Sequence, residues 1–281
     1  MNGLTQAFER GRAEGRALLI GYLPAGFPDF ETSLLAIKTL VESGVDVVEI
    51  GLPYSDPLMD GPVIQRAVET SLANGMTTAR VLELAASASE FGAPVLVMSY
   101  WNPIERYGLI RFATELAATG GVGVITPDLT PEEAAPWVLA TDDSQLSRVF
   151  LVAPTTATKR AAEIAAVTNG FIYAASLMGV TGVRDQSKNG QGASASPTDR
   201  AFNLVKRVRP VTDQPIAVGI GVSNAEQVRL ISGYADGVIV GSLFVKTMAD
   251  SMAAKPGDSA AMANALSLVV ADLAAATKGS T

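Results

Sequence analysis

Residues Pro215–Val240 read PIAVGIGVSNAEQVRLISGYADGVIV, and the fold can be worked out from this stretch. Two short β-rich apolar runs, 215–219 and 236–240, flank Asn224–Gly233, where apolar residues recur three and four apart. The order is strand, helix, strand, with a connection long enough to make the two strands parallel. Ser223-Asn224-Ala225-Glu226 resembles a capping box at the helix start. Outward from this unit the same kind of run recurs at 18–22 (LLIGY), 46–50 (DVVEI), 94–98 (PVLVM), 121–125 (GVGVI), 149–153 (VFLVA) and 170–174 (GFIYA). Helical patterns alternate with them over Asp29–Ser43, Thr78–Phe91, Ile104–Thr119, Pro131–Thr141, Lys159–Thr168 and Asp199–Val208. Thr130-Pro131-Glu132-Glu133 carries a cap, a first-turn proline and early acids, which predicts a helix start there. Eight strands interleaved with helices predict an α/β fold, a (β/α)8 TIM barrel, since a doubly wound sheet commonly has about five or six strands. No linker divides the chain, so residues 1–281 are expected to form one domain, with an extra N-terminal helix and a final helix over Ser259–Ala276.

Two spacings break the rhythm. The second and third runs start at 46 and 94, and the sixth and seventh at 170 and 215, about twice the usual interval. The first insertion, Gly51–Thr77, bears Pro and Asp, and the second, about 179–198, reads GVTGVRDQSKNGQGASASPT. Its Gly/Ser/Asn composition cannot bury a core, so a mobile lid is expected. Both insertions follow strand C-terminal ends, the face on which barrels build active sites.

Composition narrows the chemistry. Of 281 residues 48% are hydrophobic and 17% charged, the balance of a compact protein. Cysteine is absent and histidine is absent. Disulfides, thiolate nucleophiles, histidine bases and Cys/His zinc sites are therefore excluded. Proton transfer falls to carboxylates, Lys, Tyr or water, with carboxylates the first suspects. Lys and Arg number 21 against 28 Asp and Glu, a net charge of −7 with no basic block, which argues against nucleic acid and anionic membranes. Glu9, Arg10, Arg12, Glu14 and Arg16 interrupt any signal-peptide core, and no apolar run reaches about 18 residues. A cytoplasmic, soluble protein is expected.

Glu49 lies in Val47-Val48-Glu49-Ile50-Gly51, a carboxylate inside an otherwise apolar strand. A charge there is costly unless it is paired or neutralised, so it reads either as half of a buried ion pair or as an acid/base group at the barrel mouth. Asp60 precedes Gly61-Pro62 and a helical pattern through Ala73, and it reads either as a helix cap or as a second working carboxylate. Gly219-Ile220-Gly221 and Gly241-Ser242 end the last two strands, where barrels frequently hold phosphate, though tight turns also demand glycine. Tyr22, Tyr100, Asn102, Asp128 and Tyr173 stand at or just past strand ends and are candidates for lining the mouth.

The run Val48–Gln65, VEIGLPYSDPLMDGPVIQ, resembles the signature of the tryptophan synthase α-subunit family. Agreement continues at Asn102-Pro103, Pro127-Asp128-Leu129, Gly179-Val180-Thr181-Gly182, Gly219–Ser223 and Gly241-Ser242, over essentially the whole chain. The resemblance implies retro-aldol cleavage of indole-3-glycerol phosphate to indole and D-glyceraldehyde 3-phosphate. It implies that Glu49 is the acid/base, that Asp60 holds the indole N–H and stabilises its positive tautomer, and that Tyr173 supports Glu49. Gly182, Gly221, Gly241 and Ser242 match phosphate contacts, and Tyr22, Tyr100 and Gly219 complete the substrate pocket. It also implies a partner, a β subunit carrying pyridoxal phosphate in an α2β2 heterotetramer, with no cofactor or metal on this chain. Asp56, with Pro57, matches that interface, and Thr181 matches a lid residue that meets Asp60. Pro24, Phe27 and Leu177-Met178 depart from commoner family residues, which bears on partner contacts and lid kinetics. A stand-alone indole-glycerol-phosphate lyase and a non-catalytic phosphate-binding barrel that regulates a partner are the alternatives.

Overall fold

The computed structural model describes residues 2–175 and 196–278. In chain order the elements are α1 (Gly3–Ala13), β1 (Leu18–Pro24), α2 (Phe30–Glu42), β2 (Val47–Gly51), α3 (Pro62–Ala73), α4 (Thr78–Ser89), β3 (Val95–Met98), α5 (Trp101–Tyr107), α6 (Leu109–Ala118) and β4 (Gly123–Ile125). There follow α7 (Ala135–Asp143), β5 (Ser147–Val152), α8 (Thr158–Val167), β6 (Ile172–Ala175), α9 (Pro197–Val208), β7 (Ile216–Gly219), α10 (Ala225–Ser232), β8 (Gly237–Val240), α11 (Ser242–Ala254) and α12 (Ser259–Ala276). The eight strands close into a parallel barrel in sequence order, β8 pairing back onto β1, so the TIM barrel expected from the strand–helix rhythm is present.

The strand period of two sorts side chains between two cores. Leu18, Ile20, Val47, Leu96, Ile125, Val149, Ala217 and Ile239 point inward toward the barrel axis and pack together. Their sequence neighbours Leu19, Val48, Ile50, Val95 and Val97 face outward into the larger core beneath the helices. The expected N-terminal helix α1 inserts Leu4, Ala7 and Phe8 into the lower end of the inner core. Phe8 meets Phe171 at 5.6 Å between ring centroids.

Several helix boundaries differ from the sequence expectation. Thr130–Glu133 is a turn and α7 begins at Ala135, because a helix started at Pro131 would carry Pro136 in its interior, where its missing N–H and its ring break the ladder. The pattern over Ile104–Thr119 is two helices that meet at Gly108, whose φ of 100° no helix accommodates. The cap of α10 is Asn224, one residue later than expected, and Gln227 reaches back to the Ser223 N–H at 2.8 Å. Ser196 and Asp199 form a reciprocal capping box on α9, so residues 196–198 of the expected lid belong to that helix start, and the rest of the lid, 179–195, lies outside the described residues. Helix α11 has no counterpart among the helical patterns expected from sequence.

Helix α12, by length and composition alone, is apolar enough to cross a membrane, although no such run is expected from the sequence. Met262, Leu266, Val270, Leu273 and Ala276, spaced three and four apart, bury one face of this helix against the barrel's outer layer.

Candidate active site

The inward rows that fill the core continue upward and become the walls of the barrel mouth. On β2 the inward row is Val47, Glu49, Gly51, and on β1 it is Leu18, Ile20, Tyr22, with Tyr22 paired to Glu49 in the strand register. A cavity of about 140 Å³, open to solvent, sits there. Tyr22, Glu49, Asp60, Tyr173, Gly219, Gly221, Gly241 and Ser242 all line it, so eight of the expected site residues converge on one space.

Glu49 is 2% exposed, and its Oε2 has no hydrogen-bond partner among the described residues. The ion-pair reading of this residue therefore fails. Burial, reinforced by the nearby Asp60 charge, pushes the Glu49 carboxyl up to about 8, so it is protonated at neutral pH.

Asp60 hangs from the loop after β2. Its N–H donates to Pro57 O at 3.1 Å, and its own carbonyl accepts from Gln65 Nε2 at 2.9 Å, which turns its side chain toward the cavity. The N-cap of α3 is Gly61, with no side-chain capping bond, so Asp60 is not the helix cap. Burial raises the Asp60 carboxyl to about 6, while a hydrogen bond from Tyr100 Oη at 3.3 Å opposes that rise. The Tyr100 hydroxyl also accepts from Met59 N–H at 2.8 Å, so it pins the loop and the carboxylate together. Tyr100 thus reaches the site through Asp60 and is not itself a wall of the cavity.

The opposite end of the cavity is built from backbone. Gly241 caps α11 without a side chain, and the first helical bond runs from Val245 N–H to Gly241 O at 3.1 Å. The N–H groups of Ser242, Leu243 and Phe244 therefore lack helical partners and form an anion-attracting helix start. Gly221, at φ +73°, turns the chain after β7 beside them. Between the two ends Met59, Ile64, Met98, Leu151 and Ile239 form apolar walls suited to a flat ring.

Gly51, Gly219 and Gly241 have a second role that their sequence context did not reveal. A Cβ at Gly219 would strike the Tyr173 hydroxyl, one at Gly51 would strike that of Tyr22, and one at Gly241 would lie 2.7 Å from Tyr22 Cδ1. The glycines are saddles in which the two tyrosine rings sit. Burial, then the Glu49 and Asp60 charges, holds the Tyr173 phenol well above its ordinary range, and it stays protonated.

Other expected residues act elsewhere. Asn102 Nδ2 donates to Tyr54 Oη at 3.0 Å, and Asp128 accepts from Trp101 N–H at 2.8 Å at the start of α5. Asp56 is exposed on the outer side of the loop, accepting from Ser55 Oγ at 2.6 Å, with Pro57 beside it. Thr181 and Gly182 lie outside the described residues. The apolar walls were missed, although continuing the inward period one step past each core residue leads to Met98 and Leu151. Among the described residues no cluster of three or more acids could hold a metal.

Residues 8–278 match the family described as tryptophan synthase alpha chain. The tryptophan synthase alpha chain of Acidothermus cellulolyticus is 48% identical over 278 residues, which covers 99% of this chain and 98% of that one. That of Streptomyces coelicolor is 49% identical over 277 residues, covering 98% and 97%. A solved tryptophan synthase structure from Mycobacterium tuberculosis superposes with a TM-score of 0.87 at 43% identity, covering 99% of both chains. The tryptophan synthase subunit alpha of Legionella pneumophila also gives 0.87, at 30% identity and 99% and 98% coverage. With carboxylates, apolar walls and a helix start converging on one cavity and near full-length likeness on every side, the chain belongs to the tryptophan synthase alpha chain family.

Proposed function

We propose that this chain cleaves indole-3-glycerol phosphate into indole and D-glyceraldehyde 3-phosphate by a retro-aldol reaction, as a lyase, the whole barrel acting as one cytoplasmic catalytic domain. The observation that carries the reading is a pair of carboxylates on one cavity with ionisation pushed apart, Glu49 to about 8 and Asp60 to about 6. Near pH 7 one is an acid and the other an anion, which is the division of labour the reaction needs.

Glu49 gives its proton to indole C3, and Asp60 accepts the indole N–H and stabilises the positive indolenine that results. The Glu49 carboxylate then takes the proton of the glycerol hydroxyl next to the ring. The C–O bond becomes C=O, the C–C bond breaks, and its electron pair returns to the indole ring. Glu49 ends protonated, ready for the next turn. Tyr173, held in its saddle beside Glu49, supports that carboxyl and stacks the pocket. The phosphate sits at Gly221, Gly241 and Ser242, where helix N–H groups receive it regardless of net charge.

Indole passes to a β subunit, which condenses it with L-serine to L-tryptophan within an α2β2 heterotetramer. No cofactor belongs to this chain, and pyridoxal phosphate resides on the β subunit. The exposed loop bearing Asp56 and Pro57, with Leu58 82% exposed beside them, supports a partner at the mouth.

The test is indole release from indole-3-glycerol phosphate by the purified chain, with and without a cognate β subunit. Weak activity alone that rises sharply with β supports the reading, high activity without β favours a stand-alone lyase, and no activity in either case sinks the reaction. Dependence on pH is a second check. Activity requires Asp60 ionised and Glu49 protonated, so kcat/KM is expected to rise through about 6 and fall through about 8. A profile flat between pH 5 and 9 contradicts the assignment. Gly241→Val is expected to raise KM by about tenfold or more and also to lower kcat, because the new side chain meets Tyr22 as well as the phosphate. An unchanged KM contradicts the phosphate site.

A further inference from the structure

Tyr22 stands beside Glu49 in the register of β1 and β2, and it is 8% exposed. Its ring lies across the tops of two neighbouring strands. The base rests on Gly241, where an added Cβ would come within 2.7 Å of Cδ1 and 3.1 Å of Cβ, and the hydroxyl rests on Gly51. β1 pairs with β2 on one side and β8 on the other, so the ring spans from the phosphate end of the cavity to the carboxylate end, with its hydroxyl at the latter. The two other tyrosines of the site differ from it in what they touch. The Tyr100 hydroxyl is committed to Met59 N–H and Asp60, and Tyr173 lies over Gly219 on the far wall. Among the described residues no hydrogen bond engages the Tyr22 hydroxyl, so its donor is spare.

Burial, and then the charges of Asp60 and Glu49, hold the Tyr22 phenol well above its ordinary range. It is a neutral donor at every pH at which the carboxylate pair works. It cannot replace Glu49 as a base, and it adds no charge to the pocket.

We propose that Tyr22 is a catalytic residue of the cleavage described above: its hydroxyl donates a hydrogen bond to the glycerol oxygen that Glu49 deprotonates, and keeps that bond as the oxygen becomes the aldehyde carbonyl. The inference rests on the retro-aldol reading of the site. No proton leaves Tyr22, and the hydroxyl proton still goes to Glu49. Negative charge grows on that oxygen as its proton departs, and a donor locked in place serves the charged transition state better than the neutral ground state. The glycine saddle supplies the locking, because the ring has no room to withdraw toward either strand.

Tyr22→Phe tests this, since the ring keeps its seat and only the donor is lost. Steady-state cleavage by the complex with the β subunit is measured for wild type, Tyr22→Phe and Glu49→Gln, with inorganic phosphate as a competitive probe of the opposite end of the cavity. Tyr22→Phe is expected to lower kcat by about 10²-fold, with KM and the phosphate inhibition constant within about twofold of wild type. A kcat within about twofold of wild type, while Glu49→Gln is inactive, overturns the role of Tyr22 and leaves the reaction standing. Loss confined to KM overturns it as well, because the hydroxyl then serves binding and not the transition state. Normal turnover by Glu49→Gln, in contrast, removes the retro-aldol reading itself.

Discussion

Glu49→Gln is expected to lose at least about 10³-fold in kcat with substrate affinity nearly intact, and to melt at a higher temperature than the wild type at pH 8. The first half follows from the absence of any other proton carrier. The chain has no histidine, and Asp60 is ionised when Glu49 is protonated, so among the described residues that line the cavity nothing else can both deliver a proton to carbon and collect one from oxygen. The second half is linkage. In the unfolded chain a glutamate titrates near 4.5, and in the folded barrel Glu49 titrates near 8. Below 4.5 both states hold the proton and its contribution to stability does not change with pH. Between 4.5 and 8 the unfolded chain releases the proton while the fold retains it, so stability falls as pH rises, and above 8 the loss is complete. A tenfold difference in proton affinity between fold and unfolded chain corresponds to about 1.4 kcal/mol, so the penalty at pH 8 is a few kcal/mol, or several degrees of Tm for a chain of this size. Glutamine carries no such penalty. Thermal melts of both proteins at pH 5 and pH 8 decide the matter: a Tm difference that does not widen toward pH 8 means that Glu49 is not held neutral by burial.

Asp60→Asn is expected to lower kcat by about 10²–10³-fold, because the amide can still meet the indole N–H but no longer offers a negative charge to the indolenine. The same substitution should reshape the pH profile of the residual activity. Its acid limb, set by Asp60 near 6, disappears, and its alkaline limb moves below 8, since the Asp60 charge is part of what keeps the Glu49 proton on. Both changes are read from one set of kcat/KM measurements between pH 5 and 9. An alkaline limb that stays in place shows that the two carboxylates do not sense each other.

The sequence carried much of this. Alternating apolar runs and helical periods were enough for the barrel, because each strand–helix unit is a local pattern repeated eight times. Glu49 stood out because a carboxylate in Val-Val-Glu-Ile has few structural excuses. Asp60 was ambiguous, since Gly61-Pro62 is what a helix start looks like and the residue before it is often a cap. Only the turn through Pro57 and Gln65 shows that it faces the cavity. The helix start expected at Thr130 fails because of Pro136, a little further along the same pattern. What could not be read was anything that depends on register between strands. The seating of Tyr22 on Gly51 and Gly241, or of Tyr173 on Gly219, joins residues far apart in sequence, and no local pattern announces it. The glycines after β7 and β8 were read for one task, backbone access to phosphate, when the same atoms also hold the rings.

The plug formed by α1 makes the barrel a blind well. Leu4, Ala7 and Phe8 close its floor, Phe8 rests on Phe171, and Phe171 stacks on Tyr173 at 6.4 Å, so packed side chains run unbroken from the floor to Tyr173 on the cavity wall. Among the described residues the inner core offers no passage downward. Substrate, both products and exchanging water must therefore share the mouth. Whatever covers that mouth sets the order of traffic: a partner seated over it while indole is still inside decides whether indole escapes to bulk water or moves onward. The residence time of the product thus becomes a property of the assembly, whereas the chemistry belongs to the barrel alone.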